Sequence, residues 1–139
     1  MNRNTLLVVD DVEVNRAILR ALFENNYNIL EAENGEQALL LLNQYKDSIA
    51  ALLLDIIMPV KNGYEVMSDM NRTRLLKNIP VIIITSEDTI ESEVRAFDLG
   101  ASDIVMKPFE PHVVKRRVQN AIELNLHREH LESWWSSSP

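Results

Sequence analysis

The chain has 139 residues, no cysteine and a formal charge of −7. That length suits one domain with a real core, the acidic balance argues against direct nucleic-acid binding, and the missing thiols exclude disulfides and thiolate metal sites. Only Leu6 to Val9 separate the polar start from Asp10, too short a run for a signal-peptide core or a membrane span, so a soluble cytoplasmic protein with no membrane partner is expected.

Leu6-Leu7-Val8-Val9 reads as a strand buried on both faces, and it ends in Asp10 and Asp11. Val14, Ile18, Ala21 and Leu22 then recur at helical spacing, which predicts a helix to about Asn25 or Asn26 with those residues inward. Asn28 to Ala32 is a short strand. Asn34 with Gln37 three residues on resembles a capping arrangement for a helix whose apolar face is Ala38, Leu41, Leu42 and Tyr45.

The run Leu52-Leu53-Leu54 ends abruptly in Asp55, and Met58 to Gly63 follows as a loop, with Asn62-Gly63 as a turn signal. Val66, Met67 and Met70 predict a shorter helix. Pro80 introduces Val81 to Ile84, which ends in Thr85-Ser86, and Asp88 with Glu91 reads as the cap of a helix burying Ile90, Val94 and Phe97. Gly100 stands where a left-handed terminator belongs. Asp103 to Met106 is the last strand, meeting Lys107-Pro108. From Pro111, Val114, Val118, Ala121, Ile122 and Leu126 form the stripe of a final helix that runs to about Leu131, and Glu132 to Pro139 reads as a tail.

Five strands alternating with five helices imply an α/β doubly wound parallel sheet. A flavodoxin-like order, 2-1-3-4-5, places the first and third strands side by side and brings Asp10, Asp11 and Asp55 together. Three carboxylates in one crevice repel one another unless a cation joins them. A hard divalent ion with oxygen ligands, best Mg²⁺, meets that need, with Lys107 as a fixed charge and the Thr85 hydroxyl as a donor. These parts suit phosphoryl transfer, with Asp55 as the nucleophile that forms an aspartyl phosphate and the Asp10-Asp11 pair holding the metal.

Val9-Asp10-Asp11, Asp55 with Met58-Pro59, Lys61-Asn62-Gly63-Tyr64-Glu65, Ile84-Thr85-Ser86, Gly100 to Asp103 and Lys107-Pro108-Phe109, in that order, resemble the receiver domain of two-component response regulators (CheY-like) over about residues 5 to 125. The resemblance implies a cytoplasmic, phosphorylation-controlled signalling switch. Asp55 would accept a phosphoryl group from a histidine kinase or histidine phosphotransfer protein. Asp10, Asp11, Asp55 and the backbone carbonyl of Ile57 would bind Mg²⁺, and Thr85 and Lys107 would touch the phosphoryl oxygens. Chemistry is then limited to self-phosphorylation and dephosphorylation, with any effector enzyme outside this chain. Ile104 stands three positions before Lys107, where the family usually has an aromatic residue, which leaves the family's aromatic switch without its ring. Ile57, two beyond Asp55, is apolar and is expected to crowd the path of attacking water.

The other readings are a Mg²⁺-dependent phosphatase acting through an aspartyl phosphate, disfavoured because Ile56 and Ile57 follow Asp55 where a second carboxylate is wanted, and a degenerate receiver that only binds. His112, His127 and His130 read as exposed helix residues. Lys115, Arg116 and Arg117 read as a solvated face, with salt bridging across a homodimer through the last two helices as the alternative. Trp134-Trp135 reads equally as a partner anchor or as part of a severed linker. The expected organisation is a receiver domain over 1-125 and a helix extension with a linker-like tail over 126-139, which leaves open an effector on a longer chain.

Overall fold

The computed structural model describes residues 3–136, with side chains described to Glu132. Its elements, in order, are β1 (Thr5–Val9), α1 (Glu13–Phe23), β2 (Asn28–Ala32), α2 (Gly35–Tyr45), β3 (Ile49–Leu54), α3 (Gly63–Arg72), a 3-10 turn (Leu75–Lys77), β4 (Val81–Thr85), α4 (Ile90–Asp98), β5 (Asp103–Met106) and α5 (Pro111–Ser136). The strands form one parallel sheet in the order β2-β1-β3-β4-β5, as expected from the alternating pattern.

The continuous apolar runs are explained by the two-faced sheet, because alternate residues of one strand enter different cores. Leu7, Val9, Leu52, Leu54, Val81 and Ile83 face α2, α3 and α4, where they meet Ala38, Leu42, Val66, Met67, Met70 and Ala96. Leu6, Val8, Leu53, Ile82 and Ile84 face α1 and α5 and meet Leu19, Phe23, Val114, Val118 and Ala121.

Helix ends follow local chemistry. The Asn34 side chain accepts from the Gln37 amide, as expected, and the Gln37 side chain reciprocates to the amide of Glu33. Asn62 and Glu65 form a full capping box, so Asn62-Gly63 opens α3 instead of making a turn. Glycine is needed there by proximity: a Cβ on Gly63 would lie 2.5 Å from the Asp55 carbonyl oxygen and 2.9 Å from the Ile56 Cα. The cap of α4 is Thr89, whose hydroxyl accepts from Ser92, one residue later than the Asp88 expected. Gly100 takes φ +107 just after α4, and the next amide, that of Ala101, closes on the Ala96 carbonyl.

Two helix faces differ from expectation. On α1, Leu19 and Phe23 are buried with Leu22 packed beside them, whereas Val14, Ile18 and Ala21 face outward. The helix carries two apolar rows, and the one opposite the Arg16 anchor described below is left on the surface. On α4, Ile90, Val94 and Phe97 are exposed, and Ser92 and Ala96 make the inner face. Small side chains let this short helix lie close to its neighbours, at the expense of burying its large ones.

In α5, Leu126 is half exposed, and the inward place next to it belongs to Asn125, whose Nδ2 donates to the Asn78 carbonyl at 3.2 Å. At that point the helix passes a loop whose carbonyl needs a donor more than the core needs another leucine. The helix runs to Ser136, farther than the Leu131 expected, since no glycine or proline follows Pro111 within it to stop it. The side chains of Trp134 and Trp135 lie outside the described residues. Among the described residues no helix is long and apolar enough to cross a membrane.

Candidate functional site

The carboxyl ends of β1, β3, β4 and β5 converge at one edge of the sheet. Backbone bonds hold those ends together: the Asp55 amide donates to the Val9 carbonyl at 2.9 Å, and the Lys107 amide to the Thr85 carbonyl at 2.9 Å. Carboxylate oxygens of Asp10, Asp11 and Asp55 lie within 4.8 Å of one another, Asp10 and Asp55 buried and Asp11 exposed. The Lys107 ammonium, arriving from β5, donates to Asp10 Oδ2 at 2.8 Å and to Asp55 Oδ2 at 3.0 Å.

Local donors orient each acid. Asp10 Oδ1 accepts from the Val12 amide at 2.9 Å, and its Oδ2 from Asn15 Nδ2 at 3.4 Å. Asp55 Oδ1 accepts from the Ile56 amide at 2.8 Å. Burial pushes the Asp55 carboxyl above the ordinary carboxylate range. The Lys107 hydrogen bond and charge only partly offset this, and the nearby Asp10 charge adds to it. For Lys107, burial pulls the ammonium down, but hydrogen bonds and charge from Asp10 and Asp55 together hold it above its ordinary value.

Thr85 is buried at the end of β4, and its Oγ1 accepts from the Glu87 amide at 3.2 Å, leaving the hydroxyl hydrogen free to donate elsewhere. Ile57 is 57% exposed beside the buried Asp55-Ile56 pair. Ile104 packs into the core on the α2, α3 and α4 side, away from solvent.

One structural contributor has no local sequence signal. Arg16 Nη1 donates to the Asp10 carbonyl at 2.7 Å while its Nε donates to Glu31 Oε1 at 3.2 Å, and Arg20 takes the other oxygen of Glu31 at 2.7 Å. Only the parallel pairing of β1 with β2, which sets Glu31 opposite Val8, brings these residues together. The turn that carries Asp10 and Asp11 is thereby tied to β2. Tyr64, to which the sequence reading gives no role of its own, sits 7% exposed on the first turn of α3, and its hydroxyl donates to Glu87 Oε2 at 3.2 Å.

Residues 6–119 match the family model of the response regulator receiver domain. The chain belongs to that family. Two of its curated relatives are a probable transcriptional regulator, ycf29, of Pyropia yezoensis, 30% identical over 93% of this chain and 57% of the relative, and the transcriptional regulatory protein CpxR of Escherichia coli, 37% identical over 84% of this chain and 48% of the relative. This receiver therefore spans about half the length of those proteins. Among solved structures, a response regulator of Chloroflexus aurantiacus is 31% identical with a TM-score of 0.78, covering 88% of this chain and 99% of that one. The receiver domain of a LuxO-type repressor from Vibrio parahaemolyticus shares the fold, with a TM-score of 0.86 at 22% identity over 94% and 98% of the two chains. The receiver's strand order and its long last helix agree with the expectations from sequence.

Proposed function

We propose that this receiver domain is a phosphorylation-controlled switch in which Asp55 takes a phosphoryl group from the imidazole of a histidine kinase or histidine phosphotransfer protein. The observation that carries this reading is the sharing of the Lys107 ammonium between Asp10 and Asp55, inside a cluster of three carboxylates. Three carboxylates and one ammonium leave two negative charges, the complement of a divalent ion, and the donor set is all oxygen, which suits Mg²⁺. Asp10, Asp11, Asp55 and the Ile57 carbonyl would hold it there, where it would neutralise and orient the phosphoryl oxygens.

In the transfer, the P–N bond to the donor imidazole breaks as a bond forms between phosphorus and an Asp55 carboxylate oxygen. Negative charge then moves from that carboxylate to the phosphoryl oxygens, and the Lys107 ammonium follows it. The Thr85 hydroxyl hydrogen supplies a further donor. Beside the site, Ile18 of α1 with Pro108, Phe109 and Pro111 lines an open apolar groove, a suitable seat for a helical phosphodonor.

A homodimer through the last two helices is favoured by exposed apolar side chains and by charge. The α4 surface carries exposed Ile90, Val94 and Phe97 beside Glu91 and Glu93, and α5 carries Lys115 and Arg116. Any effector would lie beyond this segment.

The deciding experiment is incubation with acetyl phosphate and Mg²⁺, read by intact mass. One added phosphoryl group, absent in Asp55→Asn and absent with chelator, is the expected result. Turnover of external phosphate esters would favour a phosphatase instead, and no change in either assay would favour a receiver that only binds.

A further inference from the structure

Ile104 is locked in the core, so a swinging aromatic at that position has no counterpart here. Another aromatic stands near the same strand ends. Tyr64 is held rigidly with respect to Asp55, because the Asn62-Glu65 capping box fixes the start of α3 and the Gly63 amide donates to the Ile56 carbonyl at 2.9 Å. The Tyr64 hydroxyl donates to Glu87 Oε2 at 3.2 Å, the Glu87 amide donates to Thr85 Oγ1 at 3.2 Å, and the Arg95 guanidinium lies 4.0 Å above the Tyr64 ring. Glu87 sits in the loop between β4 and α4, and Arg95 on α4 itself.

We propose that Tyr64 and Glu87 are positioning residues for Thr85, and that with Arg95 they transmit its movement to α4. This rests on the phosphoacceptor reading of Asp55. A hydroxyl oxygen that accepts from the Glu87 amide keeps its hydrogen available to an acceptor at Asp55. Drawing Thr85 toward a phosphoryl oxygen pulls on that amide, while the Glu87 carboxylate remains bonded to a phenol that cannot follow. The loop therefore has two arrangements, with the Tyr64-Glu87 bond kept or released. Release also alters the ring on which Arg95 rests, in the last turn of a helix whose outer face is Ile90, Val94 and Phe97. A small motion at Thr85 thus becomes a displacement of exposed apolar surface.

A merely structural role, in which Glu87 only satisfies a buried phenol, predicts changed stability and nothing else. The two roles separate in the whole chain loaded with acetyl phosphate and Mg²⁺, comparing Tyr64→Phe, Glu87→Ala and Glu87→Gln with the parent. Intact mass gives the Asp55 occupancy, and hydrogen exchange of the Thr89–Leu99 segment gives the response of α4. In the parent, loading is expected to change exchange in that segment by about threefold or more. Tyr64→Phe and Glu87→Ala lose about half of that change or more at equal occupancy, whereas Glu87→Gln, which keeps an acceptor oxygen for the phenol, retains it. A parent-like response in Tyr64→Phe, or the same loss in Glu87→Gln as in Glu87→Ala, overturns the proposal while leaving the phosphoacceptor reading intact. No phosphoryl group on Asp55 in the parent overturns that reading, and this proposal with it.

Discussion

Lys107 Nζ stands 3.0 Å from Asp55 Oδ2 while also bonding Asp10, so one ammonium occupies oxygens that a divalent ion would need. Cation and ammonium therefore compete. Lys107→Met is expected to bind Mg²⁺ more tightly, by roughly tenfold or ~1.4 kcal/mol. The same variant should take phosphate from acetyl phosphate more slowly, since no fixed cation meets the new charge. Titration calorimetry with Mg²⁺ checks the first half; an unchanged or weaker affinity would rule out the competition.

Arg16 offers a test in which charge and geometry predict opposite signs. Removing a cation near three carboxylates should, by charge alone, strengthen Mg²⁺ binding. But Arg16 already spends its charge on Glu31 and holds the Asp10 carbonyl at 2.7 Å. Arg16→Met is therefore expected to weaken Mg²⁺ binding about fivefold, on the order of 1 kcal/mol. Arg16→Lys should recover little, because an ammonium cannot span both partners as the fork does. Tighter binding by Arg16→Met would defeat the positioning role.

The strand ends were readable because their signal is one-dimensional: an apolar run buried on both faces stops at a polar residue, as at Val9-Asp10 and Leu54-Asp55, and the alternation of elements orders the strands. Helix faces were harder. On α1 the row containing Val14 and Ile18 is as apolar as the row containing Leu19 and Phe23, and only packing against the sheet and α5 selects between them. On α4, Ser92 and Ala96 lie inside because they are small, a preference that hydrophobicity does not rank. The Arg16-Glu31 and Tyr64-Glu87 contacts join residues 15 and 23 positions apart, and no local pattern announces them.

Gly63→Ala should unsettle both the fold and the site. Its Cβ would meet the Asp55 carbonyl oxygen at 2.5 Å and the Ile56 Cα at 2.9 Å, and both are backbone atoms with little room to yield. A loss of about 2–3 kcal/mol is expected from overpacking of this kind. Urea unfolding would reveal it as a lowered midpoint at unchanged slope.

Ile57 is exposed beside the buried Asp55, and on the proposed phosphoacceptor role of Asp55 it would stand between an acyl phosphate and water. Replacing it by a polar side chain of similar length opens that approach and supplies groups that bind a water molecule. Ile57→Asn is expected to shorten the aspartyl phosphate lifetime by about three- to tenfold, roughly 0.7–1.4 kcal/mol of barrier. The decay of the phosphorylated mass after removal of phosphodonor measures it, and an unchanged lifetime counts against shielding.

Asp55 should also leave a signature in stability against pH. Burial, with the Asp10 charge, holds its carboxyl above the ordinary value of 3.8 despite Lys107. In the unfolded chain the proton leaves near that ordinary value; in the folded chain it leaves at higher pH. Between the two, the folded state binds more protons, so this group's contribution to stability falls as pH rises and is then flat above the folded value. Asp55→Asn carries no such proton. With chelator present, the variant's stability relative to the parent is therefore expected to increase across that window and to plateau beyond it, read as the difference between urea midpoints at successive pH values. Mg²⁺ is expected to act in the opposite sense, stabilising the parent by ~2.7 kcal/mol at a hundredfold excess over its dissociation constant. Asp55→Asn, with one carboxylate fewer, should gain less. A midpoint difference independent of pH would mean that the buried carboxyl at Asp55 ionises as readily in the folded chain as in the unfolded one, and the electrostatic account of the crevice would need another source.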